Sequence, residues 1–181
     1  MPDFSTGKDQ QYVAPGAAGT VLASNGANRN PSYQAVAGLL PPSALLIQQA
    51  TVVLSTADLL ALPGTVKPLL GAPGSGVVRT LLYMIFQYKA GATPFTIAAS
   101  DNAFQAVYHG DTHPVISAAA TAFVDQAASQ VLKGTQAQPV LPQTTVAAKG
   151  IDLTLGGTTP GLTAGNGSLI VTVFYIDVSL Q

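Results

Sequence analysis

Few side chains in this sequence can act as acids, bases, nucleophiles or metal ligands. The carboxylates are Asp3, Asp9, Asp58, Asp101, Asp111, Asp125, Asp152 and Asp177, and there is no glutamate. Hydrolysis by paired carboxylates needs two of them about 5–9.5 Å apart. Asp101 and Asp111 flank a predicted strand pair and are the two that could approach; otherwise they are solvated loop acids. A Ser-His-Asp relay needs a base held by a third group. His109, Asp111 and many serines supply the residue types, but no Gly-x-Ser-x-Gly turn is present. The loop Gly71-Ala-Pro-Gly-Ser-Gly76 is glycine-rich yet lacks the Lys-(Ser/Thr) that completes a phosphate loop, and reads as a turn between strands.

His109 and His113 are the weak metal candidates. Four-residue spacing puts two imidazoles on one side only in a helix, and Gly110 with Pro114 argues for a loop. In a trimer, one such histidine per chain near the axis would give three nitrogen ligands, suited to a transition metal. Otherwise the two are ordinary loop histidines. Cysteine is absent, which excludes disulfides and thiolate metal sites. The expectation is a non-enzymatic protein with no cofactor and no metal.

Composition turns attention from chemistry to assembly. Hydrophobic residues make up 48% of the 181 residues and charged residues 8%, where soluble domains average about 25% charged. With a net charge of −1, a lone monomer has little repulsion to keep it dispersed. Burial of much of the surface against identical copies resolves this; a neutral Thr, Ser, Gln and Asn surface is the plainer alternative. The seven basic residues are scattered singly, so there is no stripe to follow a phosphate backbone and no nucleic-acid partner is expected. Met1-Pro2-Asp3-Phe4 does not begin like a secretory signal. No apolar run reaches the ~18 residues of a membrane span, so membrane insertion is not expected either.

The elements that would carry these residues are mostly strands. Residues 1–37, rich in Gly, Asn, Gln and Ser, read as an arm. Pro41-Pro42 stops an incoming helix, and Ser43 could cap a short one running to Gln49, which would serve either as an axis contact between copies or as a core element. Strands are expected at Ala50–Ser55, Val66–Leu70, Val77–Tyr88, Pro94–Ala99, Asn102–Tyr108, Thr145–Leu155 and Ser168–Leu180. One helical turn, Thr56–Leu62, is expected behind a Ser55 or Thr56 cap with Asp58 in its first turn. In residues 117–132, Ala120, Phe123, Val124, Ala127, Val131 and Leu132 recur at three- and four-residue spacing, which favours a helix stopped at Lys133-Gly134, with a strand over Ala120–Val124 as the alternative.

Val77–Tyr88 alternates with Val77, Leu81, Tyr83 and Ile85 on one side and Val78, Leu82, Met84, Phe86 and Tyr88 on the other, so both sides are apolar, as they are over Leu169–Tyr175. A strand apolar on both sides is buried on both sides, and in a small sandwich the second side is left for a neighbouring subunit. Seven or eight strands with turns every ten residues or so give an all-β, jelly-roll-like antiparallel β-sandwich with one or two short helices and an extended N-terminal arm. The division is residues 1–48 as attachment arm and short stem and residues 49–181 as knob.

Residues 19–34, Gly-Thr-Val-Leu-Ala-Ser-Asn-Gly-Ala-Asn-Arg-Asn-Pro-Ser-Tyr-Gln, have little apolar area to offset the entropy lost on ordering, and so are expected to be fixed by other chains. They resemble the "GTVL-S-NG…PS-Q" connectors of tailed-bacteriophage virion proteins. Lys149-Gly-Ile-Asp-Leu-Thr-Leu with Thr163-Ala-Gly-Asn-Gly-Ser-Leu-Ile-Val-Thr-Val-Phe-Tyr-Ile-Asp-Val resembles the closing hairpin of a β-sandwich in many phage proteins, and Val52 to Val78 resembles its opening. The resemblance implies a virion-surface location and a knob that is commonly trimeric. It leaves capsid decoration, head fibre and tail fibre open. The histidine spacing departs from the His-x-His pairs with which some phage fibres hold iron.

The expected function is therefore that of a homotrimeric capsid decoration (cement or head-fibre) protein on the virion surface, its arm docked on the major capsid protein or another virion protein. The short chain, with no shaft, favours this over the alternative, a tail-fibre or tail-tip protein recognising a host surface glycan. Expected attachment residues are Val21, Leu22, Asn25, Arg29 and Tyr33; expected oligomer-interface residues are Leu45, Leu46, Tyr83, Val171 and Val173.

Overall fold

A computed structural model describes residues 20–23, 32–35, 46–137 and 139–180. The chain divides into two compact units, Met1–Ala44 and Leu45–Gln181. In the first unit, β1 (Thr20–Ala23) and β2 (Ser32–Ala35) pair antiparallel, Leu22 opposite Tyr33 and Val21 opposite Gln34. These eight residues form a small antiparallel ladder within the expected arm.

The second unit is a sandwich. Its main strands are β3 (Gln48–Leu54), β4 (Lys67–Leu70), β5 (Val77–Lys89), β7 (Ala103–Tyr108), β8 (Ile116–Ala119), β9 (Gln130–Lys133), β11 (Ile151–Gly156) and β13 (Ser168–Ser179). Short β6 (Thr96–Ile97) pairs with β12 (Leu162–Thr163), and β10 (Thr135–Gln136) extends one edge. One sheet has the order β3-β13-β5-β9, the other β10-β8-β7-β11-β4. The eight main strands therefore lie 1-8-3-6 in one sheet and 2-7-4-5 in the other. First pairs with last, second with seventh, third with sixth and fourth with fifth. That is a long hairpin rolled into two Greek keys, the jelly roll.

Helices are minor. Helix α1 (Thr56–Ala61) starts where expected, because Ser55 and Asp58 form a capping box: the Ser55 hydroxyl accepts from the Asp58 N–H and the Asp58 carboxylate accepts from the Ser55 N–H. Lys67 lies 2.7 Å from the other Asp58 oxygen. The Lys67 bond, then the Ser55 N–H and hydroxyl, hold the Asp58 carboxyl down to about 2. Helix α2 (Gln143–Val146) is one turn, so the strand expected from Thr145 begins only at Ile151, beyond Gly150. The helix expected from Ser43 to Gln49 falls partly outside the described residues, and Gln48 and Gln49 already belong to β3.

Residues 117–132 hold no helix. Strand β8 ends at Ala119, turns occupy residues 121–125, and β9 begins at Gln130. The helical spacing came from a turn that plugs one end of the sandwich: Ala120, Phe123 and Val124 are buried, and Val124 donates back to Ala120. The spacing fails at Val131, which is 68% exposed. Gly134 is not a helix stop. It is where the chain leaves one sheet at β9 and joins the other at β10, and a Cβ there would sit 2.5 Å from Ile116 Cγ2.

The core lies between the sheets. Leu54, Met84, Phe86, Tyr88, Leu169, Val171 and Val173 face Phe104, Ala106, Ile116, Ile151, Leu153 and Leu155, all buried. Phe86 stacks on Phe104 at 6.1 Å, and Phe104 meets Phe123 edge-on. Opposite the step from Phe174 to Tyr175, Leu82 on β5 is an extra residue. This bulge turns Leu81 inward to 7% exposure, away from the side of Tyr83 and Ile85 where strict alternation put it, and leaves Leu82 half-buried.

Candidate functional site

Two surfaces of the sandwich bear on function: the loop carrying the histidines, and the outer side of the four-stranded sheet.

The β7–β8 loop turns at Gly110, whose φ of +82° suits glycine, and the Asp111 N–H donates to the Tyr108 carbonyl. His109 Nδ1 lies 2.7 Å from Asp152 Oδ2, and His113 Nδ1 lies 2.8 Å from Asp111 Oδ1. Both imidazoles are about two-thirds exposed, while the Asp152 side chain on β11 is 5% exposed. The His113 ring, followed by the Thr112 and His113 N–H groups, holds the Asp111 carboxyl below the usual carboxylate range. Each ring is thus oriented by a carboxylate. Among the described residues, no hydroxyl bonds either ring, and no group of three or more His, Cys, Asp or Glu is placed to hold a metal ion.

Asp101 and Asp111 do not converge. They lie beyond opposite ends of the six-residue strand β7, at ~3.3 Å per residue roughly 20 Å apart, too far to share a substrate bond. Asp101 instead accepts from the Thr158 N–H at 2.8 Å, which is the main reason its carboxyl is held low. One cleft, of about 370 Å³, lies beside Leu81, Tyr108, Val115, Gln136 and Val146. The Tyr108 hydroxyl is tied to the Arg79 carbonyl at 2.9 Å, and the Gln136 amide donates to the Leu81 and Leu82 carbonyls. Burial pushes the Tyr108 phenol up, so it stays protonated.

On the four-stranded sheet, register sets residues from successive strands side by side. Val53, Ile170, Gln87 and Val131 form one row; Thr51, Thr172, Ile85 and Lys133 form the next; Gln49, Phe174 and Tyr83 form a third. None of these points into the core. Tyr83 and Phe174 stack at 4.3 Å, and the Lys133 ammonium sits 5.3 Å from the Tyr83 ring centre. Val53 is 61% exposed. These rows contain no acid and a single base. The outer rows of the other sheet are more polar, with Gln105, Ser117 and Thr154 in line.

Of the residues expected at an oligomer interface, Leu46 is exposed and Tyr83 lies on this outer side. Leu45 is outside the described residues. Val171 and Val173 are a correction: each is 0% exposed within the single chain, because β13 points its odd-numbered residues here into the inter-sheet core. The outward residues of that strand are Ile170, Thr172 and Phe174. Of the expected attachment residues, Val21, Leu22 and Tyr33 lie in β1 and β2, while Asn25 and Arg29 are outside the described residues.

Sequence reasoning missed the His109–Asp152 pair and the two-point ion pair of Arg79 with Asp177 (2.8 and 2.9 Å). Both join strands far apart in the chain, and only the jelly-roll register brings them together. The "GNG" turn carried a usable signal. Asn166 closes on the β5–β6 loop, its side chain accepting from the Thr93 N–H at 2.8 Å and its own N–H donating to the Thr93 carbonyl at 3.1 Å.

The fold and these surfaces define an antiparallel jelly roll with one apolar, nearly uncharged outer side. In comparison with known proteins, no family profile, no curated protein and no solved structure matches the chain. No helix among the described residues is long and apolar enough to cross a membrane.

Proposed function

We propose that this chain is a non-enzymatic structural protein of a tailed-bacteriophage particle: a capsid decoration protein whose sandwich assembles with identical copies, three to a unit, and whose N-terminal arm ahead of the sandwich grips the capsid or another virion protein. The observation that carries the reading is the outer side of the four-stranded sheet. Val53, Ile85, Val131, Ile170 and Phe174 lie on it among neutral Gln and Thr side chains and without a single acid, and exposed apolar side chains gathered on one face mark an interface. The resemblance in residues 19–34 supports the location, and the low charge supports life within an assembly. Three arms on one body make each further grip intramolecular, so weak individual contacts sum to lasting attachment.

The test is binding to purified particles. The full chain co-sediments with them in hundreds of copies per particle, and a variant lacking residues 1–37 stays soluble and assembled in the supernatant. A handful of copies per particle would mean a fibre, not a decoration. Undiminished binding by the truncated variant would refute the arm.

A further inference from the structure

The sandwich has four sheet edges, and three of them are guarded. Strand β4 carries Lys67 and Pro68; β9 has four residues and ends in Lys133; β10 has two residues. Short length, charge and proline are the devices by which edges avoid pairing with other chains. The fourth edge, β3, has none of them. Gln48-Gln-Ala-Thr-Val-Val-Leu54 is seven residues long, without charge or proline, and pairs with β13 in unbroken register on one side. Among the described residues nothing pairs with its other side. Exposed Leu46 and Ile47 lead into it, and Val53 is exposed on it.

We infer that β3 is a strand-pairing interface, and that its occupant is the β3 of a second copy, antiparallel about a two-fold axis at Thr51. A strand this neutral meets no like charge when it faces itself. The pairing places Thr51 against Thr51, Gln49 against Val53 and Ala50 against Val52 of the other copy, so every layer is free of charge. All seven residues find a partner over a contact about 24 Å long, where the four residues of β9 would leave nearly half of β3 unpaired. It also carries Leu46 and Ile47 of one copy alongside the start of α1 of the other, whose Leu60 is 39% exposed. The two four-stranded sheets become one of eight strands, and their apolar outer rows become continuous. An isologous contact of this kind closes on itself and leaves neither copy's β3 edge free.

The inference rests on the self-association part of the proposed function and not on attachment to a particle. A two-fold contact links single copies into dimers or trimers into hexamers, so wild-type mass is expected to be an even multiple of the chain. The experiment is sedimentation equilibrium of the full chain, with Thr51→Lys and the milder Val53→Lys at the β3 edge and Thr135→Lys on exposed β10 of the other sheet as control. Thermal midpoints check that each variant is folded. Each β3 variant is expected to halve the mass and to speed exchange of the Gln48–Leu54 amides, while the control leaves both unchanged. A trimer insensitive to Thr51→Lys overturns the β3 interface and leaves the assembly reading standing. An odd-numbered assembly that the β3 variants dissociate overturns the two-fold geometry. A wild-type chain that stays monomeric at high concentration overturns both.

Discussion

Two valines on neighbouring strands of one sheet test the assignment of its two sides. Val171 on β13 is 0% exposed and faces the other sheet; Val53 on β3 is 61% exposed and faces outward. The same substitution, to alanine, removes the same atoms from opposite sides. At Val171 the loss is about 0.8 kcal/mol for each of two methylene-sized groups, and a cavity that closes only in part adds to it, for ~2–3 kcal/mol in all. At Val53 the remaining 39% of burial scales the transfer loss to about 0.6 kcal/mol. For a folded unit spanning Leu45–Gln181, each kcal/mol moves Tm by roughly 3–5 °C. Val171→Ala should therefore lower Tm by about 6–15 °C and Val53→Ala by about 2–3 °C. Urea titrations of both at low protein concentration should give the same ordering with unchanged slopes. If copies pair through β3, the extra cost of Val53→Ala grows with protein concentration, whereas that of Val171→Ala does not. Equal losses at the two positions in dilute solution would mean that the sheet is buried on both sides within one chain, and the reasoning about its outer side would fail.

Two further outcomes follow from local geometry. Asp58, held down to about 2 from an ordinary 3.8, contributes stability that is complete above its unfolded value and is lost as pH falls through its folded one. Thermal midpoints should drop between about pH 4 and 2, and less steeply in Asp58→Asn than in the native chain; identical slopes would remove the capping box and the Lys67 pair from the account. Gly134→Ala drives a methyl against Ile116 and should cost about 1–3 kcal/mol in chemical denaturation, and a neutral result would show that the sheet-switching residue has room to spare.

What was legible in the sequence was whatever rests on neighbours in the chain. Ser55 and Asp58 announce α1 because a capping box is a pattern within four consecutive residues. The thirteen residues of β5 and the twelve of β13 stand out because apolar runs of that length between glycine-rich turns have few other uses. The sides of those strands were not legible, since a run apolar on both sides carries no period to say which side faces in. That is why Val171 and Val173 read as interface residues, and why the bulge at Leu82 went unseen. The segment 117–132 misled for a related reason: Ala120, Phe123 and Val124 are buried at helical spacing by a turn, and spacing alone does not distinguish a helix from a tight turn pressed into a core. The His109–Asp152 and Arg79–Asp177 pairs depend on strand register across 43 and 98 residues of chain, which no local pattern records.

The scarcity of charge becomes more pointed once the ion pairs are placed. Asp58 is paired with Lys67 and Asp177 with Arg79, while Asp111 and Asp152 are hydrogen-bonded to the His113 and His109 rings. Among the described residues only Lys67 and Arg79 pair with an acid, while the β3 edge carries no charge and the outer rows of its sheet hold lysines, Lys89 and Lys133, without an acid to face them. Association through such a surface draws on apolar burial and main-chain hydrogen bonds, not on attraction between opposite charges. Salt should therefore not dissolve the assembly. Raising ionic strength from about 0.1 to 1 M shrinks the screening length from about 10 to 3 Å, enough to dissociate a complex held by surface charge. Salts excluded from protein surfaces, such as sulfate, strengthen apolar burial. Sedimentation of the full chain across that range should give an unchanged or larger mass, with sulfate at least as effective as chloride. An assembly that falls apart as salt rises would place its contacts on charged groups elsewhere on the molecule, and neither the neutral sheet face nor the unguarded edge would then explain why copies of this chain associate.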